Sequence, residues 1–180
     1  ARRGPRRRYG DVVPADFALP PCGLGRPAPS YLCEFYNAYL RGDAKRLDAV
    51  LHDDVAWLIS GPADHVDFFG MRRGKTAVIE LITRIIPCFQ ELTGFEIEQL
   101  LAQDDRAASF GRVRSRQRET KRSIRFAYAH FMRFQDGKLI SMRALTDSFD
   151  AVEQLMGYRI SLVSGPSLAP DNSNDEVSVI

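Results

Sequence analysis

From Gly94 to Thr146 the chain keeps a two-residue period, and this run limits the possible folds more than any other feature. Apolar and polar residues alternate through Phe95 to Gln103, Arg106 to Arg118, Ile124 to Phe134 and Lys138 to Thr146, the pattern of strands with one face in a core. Asp104-Asp105 and Gln135-Asp136-Gly137 stand at two of the joints, which reads as successive hairpins of an antiparallel meander. The last strand ends at Thr146, Asp147 and Ser148, and a helix over Ala151 to Met156 follows. A strand end is where a rigid sheet can hold a reactive carboxylate beside a cavity. The same position suits an N-cap, at Asp147 or Asp150, and the residues alone leave both readings open.

Ahead of the sheet the period is helical. Ser30 is placed to cap a helix whose apolar positions, Tyr31, Leu32, Phe35, Tyr36, Tyr39 and Leu40, recur every 3.6 residues, and Gly42 ends it. Asp43 caps a second, short helix with Leu47, Val50 and Leu51 on one face. A strand over Val55 to Ser60 breaks at Gly61-Pro62. After a loop through Asp64-His65-Val66-Asp67 and Phe68-Phe69-Gly70, a third helix capped by Thr76 runs to Phe89. Three helices followed by a long antiparallel sheet define an α+β domain.

The chain's 180 residues suit one domain over residues 30–163, long enough to bury about 70% of its unfolded surface, with appendages at both ends. The charge is unevenly spread. Residues 1–29 hold six Arg against two Asp, whereas 164–180 hold Asp171, Asp175 and Glu176 with no Lys or Arg. The first segment, dense in Pro, Gly and Arg, reads as a disordered or loosely packed basic arm, and the last as a flexible tail. Arg2, Arg3, Arg6, Arg7 and Arg8 come without an aromatic platform or a reading helix, so nucleic acid is not the expected partner. Cys22, Cys33 and Cys88 are odd in number and lack CxxC spacing, which fits a reducing cytoplasm better than a secreted disulfide framework. No apolar run approaches the roughly 20 residues of a membrane span, and no apolar segment follows the N-terminal charges as a secretory signal requires.

Several side chains are candidates for chemistry. Phe126, Tyr128, His130, Met132 and Phe134 share one strand face by parity. If that face lines a cavity, His130 can relay a proton with Asp147 or polarise a substrate oxygen; otherwise it is a hydrogen-bonded core histidine. His65, His130 and Asp147 supply two imidazoles and a carboxylate but no local metal-spacing motif, so no metal is expected. Gly70 to Thr76 is one residue short of a phosphate-binding loop and follows no βαβ strand. Arg112, Arg114, Arg116 and Arg118 share a second face. In one pairing register they meet Glu96 and Glu98 across the ladder; slipped by one residue, Arg112 turns into the pocket and favours an anionic or carbonyl-bearing ligand. Trp57, Phe68, Phe69 and Met142 are core residues by type, some of which line any open pocket.

The order of these pieces resembles the nuclear transport factor 2-like superfamily, in its SnoaL-like and ketosteroid-isomerase-like branch. The resemblance rests on Phe35-Tyr36-Asn37-Ala38-Tyr39 with Gly42-Asp43, on Leu51-His52-Asp53-Asp54-Val55-Ala56-Trp57, on Gly70 and Gly74-Lys75, and on His130-Phe131 through Asp136-Gly137-Lys138-Leu139-Ile140 to Asp147. It covers residues 30–157. It implies a curved antiparallel sheet wrapped round a cone-shaped pocket, closed by three N-terminal helices, with a homodimer built on the other sheet face. Members include isomerases, cyclases, epoxide hydrolases, dioxygenase subunits and pure binding proteins.

At the positions matching the ketosteroid isomerases' Tyr and two acids this chain has Phe35, Ile59 and Ala129, so that mechanism lacks its base and its oxyanion donor. By resemblance to SnoaL-like cyclases the acid is Asp147, buried, with a raised pKa, moving a proton beside a carbonyl. The expectation is a cytoplasmic pocket protein for a small hydrophobic carbonyl- or ring-bearing molecule. It is either a cofactor-free isomerase, cyclase or hydrolase using Asp147 and His130, with Trp57, His65, Phe69, Arg112, Tyr128 and Met142 about the ligand, or a non-catalytic binding or interaction module.

Overall fold

The computed structural model describes residues 18–23, 25–64, 66–147, 150, 151, 153 and 154. Most of the expected arm, the tail at 164–180 and His65 lie outside them. Helix α1 (Ser30–Arg41) buries Leu32, Phe35, Tyr36, Ala38 and Leu40 and ends on Gly42, whose φ of 58° gives the left-handed C-cap that glycine adopts without strain. Asp43 caps α2 (Ala44–Val50), accepting from the Lys45 and Arg46 amides at 3.1 Å. Ser30 caps nothing: the first turn starts from Pro29, without a side-chain cap.

Strands β1 (Leu51–Ile59) and β2 (Gly70–Arg73) come next. The first begins four residues earlier than its apolar pattern suggests, and the second was read as loop. Helix α3 (Lys75–Glu80) passes through a π-helical turn, Leu81–Ile85, into α4 (Ile86–Phe89). Thr76 is not its cap, since the helix starts at Lys75 behind Gly74. Instead the Lys75 ammonium ties the helix start to Asp53 at 2.7 Å and Asp48 at 3.5 Å.

The meander follows as β3 (Gln90–Gln103), β4 (Arg106–Gln117), β5 (Ser123–Gln135) and β6 (Lys138–Thr146). Asp136 and Gly137, both at positive φ (50° and 76°), make the tight β5–β6 turn whose twist matches the strands. The six strands form one curved, unclosed sheet in the order β2-β1-β6-β5-β4-β3. All pairs are antiparallel but one: β1 lies parallel to β6, Trp57 beside Met142 and Ile59 beside Ala144. The antiparallel meander is as expected, and β1 adds to its β6 edge in the parallel sense.

Alternation sorts the faces. On β5, Ile124, Phe126, Tyr128, His130, Met132 and Phe134 are all buried, and the residues between them face outward. The inner face packs on α1, the π-helical turn and α4 to form the core. On the outer face Arg112 pairs with Glu98 at 2.8 Å and Arg114 with Glu96 at 3.7 Å. Arg112 therefore takes the register that shows it to water, and it does not line a pocket. The end of the expected arm is packed rather than loose. Cys22 is buried, and the Gly23 amide donates to the Leu100 carbonyl at 2.9 Å, which gives the free edge of β3 a backbone partner.

Candidate functional site

Between the helices and the inner sheet face lies a cavity of about 60 Å³. Tyr39 of α1, Ile86 of α4 and Phe68 close its helical side; Phe95, Val113, Phe126 and Ala144 give it an apolar floor; Gln90, Tyr128, His130 and Thr146 supply its polar atoms. Among the described residues no Asp or Glu lines it. The period-two pattern delivers these side chains, since residues of one parity on adjacent strands project into the same space.

His130 is the chemical centre. It is 4% exposed and ringed by Tyr36, Tyr39, Phe95 and Tyr128, with ring centroids 4.5 to 6.2 Å away. Its Nδ1 lies 3.1 Å from the Tyr36 hydroxyl, which in turn lies 2.6 Å from Ser109 Oγ. The other ring nitrogen makes no hydrogen bond among the described residues. Burial holds the imidazole down at about 3, so it is neutral at physiological pH. Burial also raises the phenols of Tyr36 and Tyr128, and that of Tyr39 to about 12; all three stay protonated.

One Tyr36 proton serves two contacts. If it points to Ser109, His130 donates from Nδ1 and leaves its other nitrogen as an acceptor; if it points to Nδ1, the free nitrogen is a donor. In either state the imidazole keeps one hydrogen-bonding position without a partner among the described residues, at the wall of a cavity whose other polar atoms come from Gln90, Tyr128 and Thr146.

Of the residues expected as catalytic or about the ligand, only Tyr128 and His130 line this cavity among the described residues, with Phe126 of the same strand face beside them. Trp57 is core, packed on Phe35 and Tyr39 at 6.1 and 5.6 Å, and its Nε1 has no partner among the described residues. Phe69 is buried against Phe68 at 4.5 Å, and Phe68 is the one that reaches the wall. Met142 is buried one pleat deeper than Ala144. Arg112 is on the outer face, and His65 lies outside the described residues.

Asp147 is exposed, against the expectation of a buried acid. Its Oδ1 accepts from the Asp150 amide at 3.3 Å and its carbonyl from the Ala151 amide at 2.9 Å. It caps the helix containing Asp150 and Ala151, with the carboxylate in water. Asp147→Ala is expected to cost no more than about 1 kcal/mol in urea unfolding, and Asp147→Asn less, because Asn caps as well.

Tyr36, Ser109 and Tyr39 were not singled out from sequence. Tyr36 and Tyr39 enter as apolar positions of a helix and as part of the motif that carries the resemblance, without a role at the site, and Ser109 has the inward parity of Ala107 and Val113. A polar residue on an inward parity was the available signal.

A curved sheet closed by helices around such a cavity defines a nuclear transport factor 2-like pocket fold. The family model for the SnoaL-like domain matches residues 33–142, and the chain belongs to that family. It is 34% identical to a candidate isomerase from Rhodopseudomonas palustris, with 72% of this chain and 98% of that one covered at a TM-score of 0.67. It is 25% identical to an NTF2-like protein from Burkholderia xenovorans, covering 69% and 92% at a TM-score of 0.62. An LEH-like epoxide hydrolase from M. tuberculosis shares the fold at 19% identity, covering 71% and 87% at a TM-score of 0.56. No curated protein matches the chain. Among the described residues no helix is long and apolar enough to cross a membrane, and no three His, Cys, Asp or Glu converge as a metal site.

Proposed function

We propose that the protein binds a small hydrophobic molecule bearing one carbonyl or hydroxyl oxygen, held at that oxygen by the free nitrogen of His130. The observation that carries this reading is the neutral, buried imidazole tied to Tyr36 on one side and unpartnered on the cavity side. About 60 Å³ holds roughly two waters, so a ring-sized ligand must part the aromatic wall as it enters. A homodimer through the Phe110–Ala129–Leu145 row of the outer sheet face is part of the reading, supported by the exposed Phe110 and Leu145 and leaving the turn end of that face uncovered. Free thiols at Cys22, Cys33 and Cys88 support a cytoplasmic setting.

A catalytic reading is supported by the 34% identity to a candidate isomerase. With no acid on the cavity wall among the described residues, the proton carrier would be the free nitrogen of His130 in its acceptor tautomer, acting in place of the oxygen contact: it takes a proton from the carbon beside a carbonyl and returns the same proton at another position. Calorimetric titration with cyclic ketones and the matching alcohols tests the binding. His130→Phe is expected to weaken binding by about tenfold or more, the worth of one buried hydrogen bond, and unchanged affinity would remove the imidazole from the site. Deuterium exchange at the α-carbon of a bound ketone separates the classes: exchange abolished in His130→Phe supports an isomerase, and no exchange in the wild type leaves a binding module.

A further inference from the structure

On the outer sheet face, at the end where the β3–β4 and β5–β6 turns lie, an open groove of about 1170 Å³ runs beside the segment Cys22 to Pro29. Among the described residues four arginines line it, Arg26, Arg106, Arg133 and Arg143, and no carboxylate does. Arg106 and Arg133 are direct cross-strand partners, and like charges placed so are destabilising unless an anion lies between them. Only Arg106 has an ion pair among the described residues, a long one to Asp105 at 3.7 Å, with its side chain 79% exposed. Apolar surface accompanies the charge: Phe131 is 51% exposed and Leu101 58%. The groove is built for an occupant that is acidic and apolar together.

The chain carries such a segment. Residues 171–180 hold Asp171, Asp175 and Glu176 with no Lys or Arg, and then Val177, Val179 and Ile180. We propose that this segment docks in the arginine groove of its own chain, with its carboxylates over Arg106, Arg133 and Arg143 and its valines against Phe131 and Leu101. The reach is sufficient. Gln154 is pinned to the backbone of Arg125 by hydrogen bonds at 2.8 and 2.9 Å, and Arg125 to Arg133 spans roughly 27 Å of β5. The 17 residues from Gln154 to Asp171 extend to about 56 Å or more, twice the need.

The test uses the full chain with Asp171→Asn, Asp175→Asn and Glu176→Gln, and a synthetic peptide of residues 164–180, followed by the amide signals of Phe131 and Arg133. In the wild type the tethered segment competes at an effective concentration in the millimolar range, so the neutralised chain is expected to bind the peptide about tenfold or more tighter than wild type. That binding should weaken as salt rises and vanish when Arg133→Glu and Arg143→Glu are added. These arginines are exposed, so the fold survives the change, and the Phe131 signal, common to every variant, reports it.

Equal peptide affinity for wild type and neutralised chain overturns the proposal, as does binding indifferent to the two Glu substitutions. Wild-type groove signals that revert to those of the neutralised chain on dilution also overturn it, assigning the groove to a second copy.

Discussion

Gly111→Ala is expected to destabilise the protein by at least about 3 kcal/mol, or to prevent folding, although position 111 has an ordinary strand conformation. A Cβ there would fall inside the carbonyl oxygen of Glu96 and come within 2.9 Å of its carbon and 3.1 Å of Ile97 Cα. These are backbone atoms of the neighbouring strand and cannot swing aside. The contact exists because β3 slips register between Ile97 and Gln99 opposite β4, a bulge that bends the strand. The bend brings the Glu96 carbonyl to 3.4 Å from the Tyr128 hydroxyl on the cavity wall. Gly94 is the control: the three atoms nearest an added Cβ there all belong to the Arg114 side chain, the nearest its Nε at 3.0 Å, which can move, so Gly94→Ala should cost under about 1 kcal/mol. Urea midpoints for the pair decide it. Equal midpoints would mean that β3 does not cross so close, and that the curvature enclosing the cavity has another source.

The second large effect is a pH dependence belonging to His130. Its folded-state value is lowered from 6.5 to about 3 by burial, so between those values the unfolded chain binds a proton that the folded chain refuses. Above pH 6.5 both states are neutral here and the stability is full. As pH falls through 6.5 stability declines by up to about 1.4 kcal/mol per pH unit, and it levels off near pH 3. His130→Gln removes this proton. The variant is less stable at pH 7.5, having lost ring packing and the Tyr36 contact, but the gap to wild type should close by roughly 2 kcal/mol between pH 7 and pH 5. Working in that window keeps most carboxylate titration out of the comparison. A gap independent of pH would show that His130 is solvated. Tyr36→Phe, which strands Nδ1 and Ser109 Oγ in the core, is expected to cost about 1–3 kcal/mol at neutral pH.

The two effects mark what could and could not be read in advance. The alternation through Ile124 to Phe134 put Tyr128 and His130 on one face without any structure, and Asp136-Gly137 announced the turn that follows. Asp43 was legible as a cap for the same reason, since the signal lies within three residues of its effect. Asp147 shows where local signals stop deciding. Its sequence context suits both a cap and a cavity acid, and only the direction in which the chain leaves β6 selects the cap.

Local chemistry therefore determined the helices, the hairpins and the parity of each strand, because those depend on neighbours a few positions apart. The tertiary structure alone decided that β1 inserts parallel beside β6, that Arg112 faces water, and that Tyr36 meets Ser109 and His130 across separations of 73 and 94 residues. Those contacts follow from the register and curvature of the sheet. Both are fixed by the simultaneous packing of all six strands against the helices, and no short stretch of residues contains that information.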